Sequence, residues 1–440
     1  MTPGARIQSS IELLDSILLS WQGDKRFPAD KLIDNYFKSR RFIGSKDRAA
    51  IGELVYWCLR HKAALEWWLV QKLGGDLHAR GLVLTALILR KDYTLADLHP
   101  LSQDSQYSFP RLSAPEIKRC EQLAEAPLQH PDMPVHVRLN YPQWLEEKLR
   151  DAFGKDFEKA LLALNEQAPT DLRVNTLKTT REELLVNLSL EGFEVAPAPT
   201  SPVGIRLAKR APVFTSQYFK AGHFEVQDEG SQIVATLVDA APGMKVIDFC
   251  AGAGGKALVI AAQMKNKGRI LAWDTSAKRL AQIKERIRRA GVDNIQVHTI
   301  ASETDKFLKR HLKSADRVLV DVPCSGTGTW RRNPDLKWRF TPQDLQEVVA
   351  AQASILTSAA RLVKPGGRLI YATCSLLKDE NERQIERFLK ESSNFKALCA
   401  RSVWDHTEKN ASKEVSFLSL TPHQDGTDGF FAAVLEQLPP

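Results

Sequence analysis

Two cysteines each follow what reads as a buried strand. Arg317–Val320 is a short valine-rich apolar run, the pattern of a strand covered on both faces in a parallel sheet. It ends in Asp321-Val322-Pro323-Cys324, and Pro323 cannot donate to a sheet ladder, so pairing stops there. Ser325-Gly326-Thr327-Gly328 then keeps the loop small. Arg368–Ala372 is a second apolar run, followed by Thr373-Cys374-Ser375. Ligands of open α/β sheets sit beyond the carboxyl ends of the strands. Two thiols and the Asp321 carboxylate are therefore expected at one active edge. A cysteine is ordinarily structural unless its thiolate is stabilised and accessible. Paired thiols beside an acid reverse that expectation and point to nucleophilic catalysis. Cys374 is expected where a polar helix opens, so that the helix dipole lowers its thiol pKa. The run Trp330-Arg331-Arg332-Asn333-Pro334-Asp335 after the Cys324 loop suits phosphate groups.

A second feature lies upstream. Val246–Lys256 (VIDFCAGAGGK) reads as a strand, a glycine-rich turn and the start of a helix. Glycines let the backbone approach a ligand, and a helix start offers unpaired amides. Such a turn alone does not separate NAD, FAD, nucleotides and S-adenosylmethionine. It is not a Walker A loop, because Ala257 rather than Ser or Thr follows Lys256. Asp274 ends the next strand, where an acid either accepts hydrogen bonds from ribose hydroxyls or caps the helix that follows. Together the two features favour an adenosine-bearing cofactor.

These features need a scaffold. From Lys245 onward, apolar runs at Lys245–Phe249, Arg269–Trp273, Ile295–His298, Arg317–Val320 and Arg368–Ala372 alternate with helical stretches, which predicts a doubly wound, mostly parallel sheet. Gly429–Leu435 reads as a final edge strand, for which an antiparallel sense is expected. Before it, Leu172–Leu177, Phe193–Val195 and Gly204–Leu207 read as strands and Thr179–Gly192 as a helix, giving a small basic α/β unit. Arg6–Leu123 reads as helices, with Trp57, Trp67 and Trp68 on apolar faces. There the basic turn Arg40–Arg48 precedes a helix that Ser45 is expected to cap. Prolines between Ala124 and Pro142 mark a border.

The 440 residues exceed one compact core, so two or three domains are expected. The chain shows no membrane-length apolar run and no signal-peptide pattern, so a cytoplasmic protein is expected. Its six cysteines lack the Cys-x-x-Cys spacing of a zinc site, and neither a metal nor a disulfide framework is expected. Cys58, Cys120 and Cys399 read as structural. The net charge of +8 suits a polyanionic partner, although excess Lys and Arg also serve simply to solvate a surface.

Asp248–Lys256, Asp321–Gly328 and Thr373-Cys374-Ser375 resemble the RNA cytosine-C5 methyltransferases of the NOL1/NOP2/Sun family. Val226–Ser231 and Thr427–Phe431 extend that resemblance, and the N-terminal helices resemble the NusB-like extension of bacterial small-subunit rRNA methyltransferases. The resemblance implies a Rossmann-like methyltransferase domain at 231–440 and a small α/β RNA-recognition subdomain at 166–230. It further implies connecting helices over 131–165 and an all-α NusB-like RNA-binding domain at 1–130. Cys374 would attack C6 of cytosine, Cys324 would assist breakdown of the adduct, and Asp321 with Lys256 would hold the base edge. The target base would be unpaired or flipped out. S-adenosyl-L-methionine would lie against Cys250, Ala251, Gly252, Ala253, Gly254, Gly255, Lys256, Asp274, Arg279, Ser302 and Asp321. Arg331, Arg332, Arg41 and Arg48 would contact RNA, with 16S rRNA the expected substrate and a monomer the expected state.

Two departures stand out. The family loop commonly reads Ala-Pro-Gly-Gly-Lys-Thr, whereas this one reads Gly252-Ala253-Gly254-Gly255-Lys256-Ala257. The acid usual at the end of the third strand is not found where expected in Thr299–Asp305, so Ser302 or backbone is assigned to the adenine. Rival readings are a tRNA methyltransferase and a non-catalytic RNA-binding assembly factor. An amino-group methyltransferase would want Asn/Asp-Pro-Pro-aromatic where Asp321-Val322-Pro323-Cys324 stands.

Overall fold

The computed structural model describes residues 1–23, 25–105, 107–404 and 417–439. The chain forms two compact units, Met1–Glu166 with Trp330–Thr341, and Gln167–Thr329 with Pro342–Pro440. No helix among the described residues is long and apolar enough to cross a membrane.

The first unit is helical. Its central helix, Ala79–Leu89, is apolar nearly all round, and every residue except Arg80 is buried. A helix of that composition must be covered on all sides. Helices Pro3–Ser20, Ser45–Arg60 and Ala114–Leu123 pack around it. Trp68 is buried and Trp57 and Trp67 are half-buried against the same core, as their apolar positions predict. Ser45 is the first helical residue, not the cap; Gly44 holds that position and no side chain caps the turn. Residues 131–165 carry helices Val135–Arg138, Glu146–Phe153 and Phe157–Leu164 within this unit.

The distant segment Trp330–Thr341 completes the helical core. Trp330 and Lys337 are each 1% exposed. Arg60 donates to the Arg331 carbonyl at 2.6 Å and Trp338 Nε1 to the Leu59 carbonyl at 2.6 Å. Asp335 accepts from the Ala29 amide at 3.2 Å. Burial, then the nearby Arg60, pushes the Lys337 amine well below its ordinary pKa.

The second unit contains two sheets. The smaller is built from β1 (Thr170–Val174), β2 (Val195–Pro197), β3 (Gly204–Leu207) and β4 (Phe224–Val226), antiparallel in the order β2-β3-β1-β4. Helix Arg181–Leu190 packs on it and starts in a capping box between Thr180 and Glu183.

The larger sheet contains β5 (Lys245–Asp248), β6 (Arg269–Asp274), β7 (Ile295–Thr299), β8 (Ala315–Asp321), β9 (Val363–Thr373), β10 (Phe395–Leu398), β11 (Leu418–Leu420) and β12 (Phe430–Gln437). Its order is β10-β12-β9-β8-β5-β6-β7, with β11 also on β12. β5 to β9 run parallel and β12 is antiparallel to β9. β12 is not an edge strand, because β10 pairs along its other side. Phe430–Leu435 is apolar at every position and wholly buried, which fits a strand covered on both faces. The chain enters this sheet at β5, moves outward through β6 and β7, then crosses back to β8. The carboxyl ends of β5 and β8 therefore form the switch point where such sheets bind ligands.

Candidate active site

A cavity of about 690 Å³ opens at that switch point. Asp248, at the tip of β5, lines it and is 1% exposed. Among the described residues neither of its carboxylate oxygens has a hydrogen-bond partner. Burial, then the nearby Asp321 charge, pushes the Asp248 carboxyl up to about 7. A buried, unpartnered carboxylate facing a cavity is a site waiting for a donor or a cation.

The glycine-rich turn forms one wall. Gly252 and Gly254 both hold positive φ, at 55° and 80°. A Cβ at Gly254 would also fall 2.8 Å from Ile283 Cγ1, so only glycine fits. No proline stiffens this loop, but two arginines hold its carbonyls. Arg286 donates to Ala253 O at 2.8 Å, and Arg173 donates to Gly255 O at 2.7 Å. Asp274 lines the cavity and accepts from the Gly252 amide at 2.9 Å and the Ser276 amide at 2.7 Å. It thus fastens the turn of β5 to the end of β6. Arg279 lies 3.8 Å from Asp274 on the same wall. Cys250 lines the cavity too, with its thiol pushed well above the ordinary value by burial first and Asp248 second.

The other wall carries two thiols and a lysine–aspartate pair. Lys256 Nζ donates to Asp321 Oδ2 at 2.5 Å and stands 5.8 Å from the centre of the Phe430 ring. Burial opposes the Lys256 charge, but the adjacent Asp321 carboxylate outweighs it and holds the ammonium above its ordinary pKa. The Cys324 and Cys374 sulfurs are 3.3 Å apart, and both residues line the cavity. β8 and β9 are paired neighbours, and Val322 N donates to Ala372 O at 3.1 Å, so the loops at their tips start side by side. Contact with Cys374 and burial together push the Cys324 thiol well above its ordinary pKa.

The expected helix dipole at Cys374 is absent. The nearest helix, Glu382–Glu391, begins eight residues later, and Ser375–Asn381 is a turn closed by its own side chains. Thr373 donates to Asn381 Oδ1 at 2.6 Å, while Asn381 Nδ2 donates to Ser375 O at 2.9 Å. Those polar side chains stabilise the turn by local hydrogen bonds that compete with a helical start.

The structure brings together Cys324, Cys374, Asp321, Lys256, Cys250, Ala251, Gly252, Ala253, Gly255, Asp274 and Arg279. Gly254 sits behind them, turning the chain. Ser302 does not line the cavity; its hydroxyl pairs with Thr304 at 3.0 Å. The lining residue is its neighbour Glu303, whose carboxylate accepts from Ser354 at 2.8 Å. An acid, Glu303, does follow the third parallel strand and reaches the cavity. The four arginines expected on RNA belong to the helical unit. Arg41 is exposed, but Arg48 is half-buried and donates to Ile43 O at 2.7 Å. Arg331 is 5% exposed and Arg332 half-buried, so Arg331 is not presented for phosphate contact. Trp330, Pro334 and Lys337 draw that run into the helical core. Among the described residues no His/Cys/Asp/Glu group could hold a metal ion.

A family described as 16S rRNA methyltransferase RsmB/F matches residues 235–436, and an RsmF/B-like ferredoxin-like domain matches residues 141–214. The probable ribosomal RNA small subunit methyltransferase B of Synechocystis sp. is 34% identical over 323 residues, covering 73% of this chain and 72% of the relative. Its counterpart in Bacillus subtilis, also described as probable, is 30% identical over 423 residues, covering 91% and 92% respectively. The crystal structure of PH0851 superposes with a TM-score of 0.76 at 25% identity, over 99% of both chains. The chain belongs to the RsmB/F family of small-subunit ribosomal RNA methyltransferases.

Proposed function

We propose that this protein is an S-adenosylmethionine-dependent RNA cytosine-C5 methyltransferase acting on 16S rRNA through a covalent cysteine–C6 adduct. The observation that carries the reading is the thiol pair, with sulfurs 3.3 Å apart, beside the Lys256–Asp321 pair in one cavity. An amino-group methyltransferase or a binding factor has no use for that pair. The cavity fits the cofactor, because unpartnered Asp248 and the positive-φ turn at Gly252–Gly254 offer a carboxylate and a close backbone approach. When bound, S-adenosylmethionine supplies an electrophilic methyl group.

The chain's own residues do the rest. C5 of a neutral pyrimidine is a poor nucleophile, so Cys374 thiolate adds to C6 and pushes the electron pair toward C5. Asp321 and Lys256 hold the polar edge of the base and balance the charge that develops there. After methyl transfer the C5 proton is lost to solvent or a neighbouring base with Cys324 assisting. The C6–S bond breaks and its electron pair returns to sulfur, so that the double bond and the Cys374 thiolate are restored. The base must leave its stack to reach a cavity of this kind. Relatives named for the small subunit support rRNA over tRNA. The reading carries with it a cytoplasmic location and a monomeric enzyme.

The test is a trap. RNA carrying 5-fluorocytosine has no C5 proton to lose, so wild type with cofactor should form a denaturant-resistant complex and Cys374→Ala should not. Cys324→Ala should accumulate the adduct on ordinary cytosine. Both rRNA and tRNA fragments are offered. Tight binding of rRNA with no adduct on either substrate would overturn the reading and favour a binding factor.

A further inference from the structure

Glu380 is 0% exposed and does not line the cavity, so it touches neither cofactor nor base. Yet its carboxylate joins the two residues that directly follow the thiols. Ser325, next to Cys324, donates its backbone amide to Oε1 at 2.8 Å and its hydroxyl to Oε2 at 2.5 Å. Ser375, next to Cys374, donates its hydroxyl to the same Oε2. Gln352 Nε2 donates to Oε1 at 3.0 Å and to Pro323 O at 2.9 Å, which fixes the residue on the other side of Cys324. Tyr371, in β9, donates to the Glu380 carbonyl at 2.7 Å and anchors the turn that carries the carboxylate.

The donors are not interchangeable. Ser375 Oγ accepts from the Leu377 amide at 3.1 Å and lies 3.1 Å from Ser325 Oγ and 3.2 Å from Thr327 Oγ1, and its contact with Glu380 Oε2 is the shortest of the four. Gln352 Oε1 accepts from Gln384 at 3.2 Å, so its amide nitrogen is the end that faces Glu380. Both carboxylate oxygens meet donors only, which an ionised acid satisfies and an amide does not. A buried charge held this way costs desolvation that a structural role alone would not require, since apolar packing would join two loops as well.

We infer that Glu380 is the positioning residue of the two-thiol site, a clasp that sets Cys324 against Cys374 by holding Ser325 and Ser375 on one carboxylate. The inference rests on the two-thiol reading of the chemistry. Adduct formation needs only Cys374, whereas release needs Cys324 at the same base. Loosening the clasp therefore separates the steps: adduct still forms, and release slows. Misplacement by about an ångström costs on the order of 100-fold in such steps.

The experiment compares wild type, Glu380→Gln, Glu380→Asp and Ser375→Ala, measuring trapped adduct, methylated product, cofactor binding and melting temperature on one rRNA fragment. Glu380→Gln should raise the ratio of adduct to product on ordinary cytosine by roughly tenfold or more and lower kcat, with the KM for cofactor unchanged. Ser375→Ala should do the same more weakly, and Glu380→Asp should recover part of the wild-type ratio. If Glu380→Gln is unfolded, Ser375→Ala alone decides. Adduct and product falling in step, or a wild-type ratio in a folded variant, would overturn the clasp. Absence of adduct and product in wild type would instead overturn the underlying chemistry.

Discussion

The Cys324 and Cys374 sulfurs lie 3.3 Å apart, though 50 residues separate them in the chain. A disulfide needs the sulfurs at about 2.05 Å, so a short side-chain adjustment closes one. Hydrogen peroxide should therefore oxidise this pair to an intramolecular disulfide, with loss of two hydrogens by mass and of all adduct formation. Dithiothreitol should restore both. Cys250, whose thiol burial pushes well up, should stay reduced. Peroxide that instead drives either thiol to a sulfinic acid, with no disulfide seen, would mean the two sulfurs are not in contact in solution.

The ion pair between Lys256 and Asp321 is a second test of the same wall. Their side chains are 11% and 30% exposed, so removing one partner leaves the other in a half-dry site. Asp321→Asn keeps the shape and should lower kcat on the order of 100-fold, the range seen when one preorganised electrostatic group is lost. Its effect on RNA affinity should be slight, because phosphate contacts dominate such binding. A matching loss in RNA affinity would assign Asp321 to binding rather than to chemistry.

Gly328 carries a different constraint. Its backbone lies against Gly429, and an added Cβ would stand 2.2 Å from Gly429 O. Gly328 also donates its amide to Cys374 O at 2.9 Å, so the close approach ties both thiol loops to the start of β12. Gly328→Ala should destabilise the protein by about 2 kcal/mol, an ordinary overpacking cost. It should also weaken adduct formation. Urea denaturation followed at equilibrium reads the first effect, and an unchanged midpoint would show that the two backbones have room to part.

What the sequence made legible was local. Each thiol follows an apolar run and a stop signal, and a parallel sheet brings strand tips together, so Asp321, Cys324 and Cys374 were within reach of a linear reading. Glu380 was not, because its role depends on Ser325, 55 residues away, and on a buried hydroxyl pair that no periodicity marks. Trp330–Thr341 looks like a basic loop and is a core segment of the other unit, because Trp330 and Lys337 supply volume that its arginines obscure. The place of β12 inside the sheet is written in an apolar run without alternation, a pattern that gives burial on two faces but not the partner on the far side. Glu303 shows the limit of counting residues after a strand, since the loop after β7 carries the acid to the same cavity.

Asp248 makes the pH dependence testable. Burial first, and the Asp321 charge second, raise its carboxyl from an ordinary 3.8 to about 7 in the folded, ligand-free protein. The folded state then binds a proton that the unfolded state has already released, throughout the window from about pH 4 to about pH 7. Stability of the ligand-free protein must fall as pH rises across that window, by roughly 4 kcal/mol in all. A cation placed beside the carboxylate reverses the preference for the neutral acid. Cofactor binding, which brings an ammonium and a sulfonium, should therefore strengthen as pH rises toward 7 and level off above it. Asp248→Asn removes both slopes. It leaves a buried amide in place of the acid and so shifts the level of stability, but a neutral group cannot give that level a pH dependence. Melting temperatures from pH 5 to pH 8.5 and calorimetric titration with S-adenosylmethionine at the same values check the two limbs. Parallel melting curves for wild type and Asp248→Asn would place the proton elsewhere in the cavity.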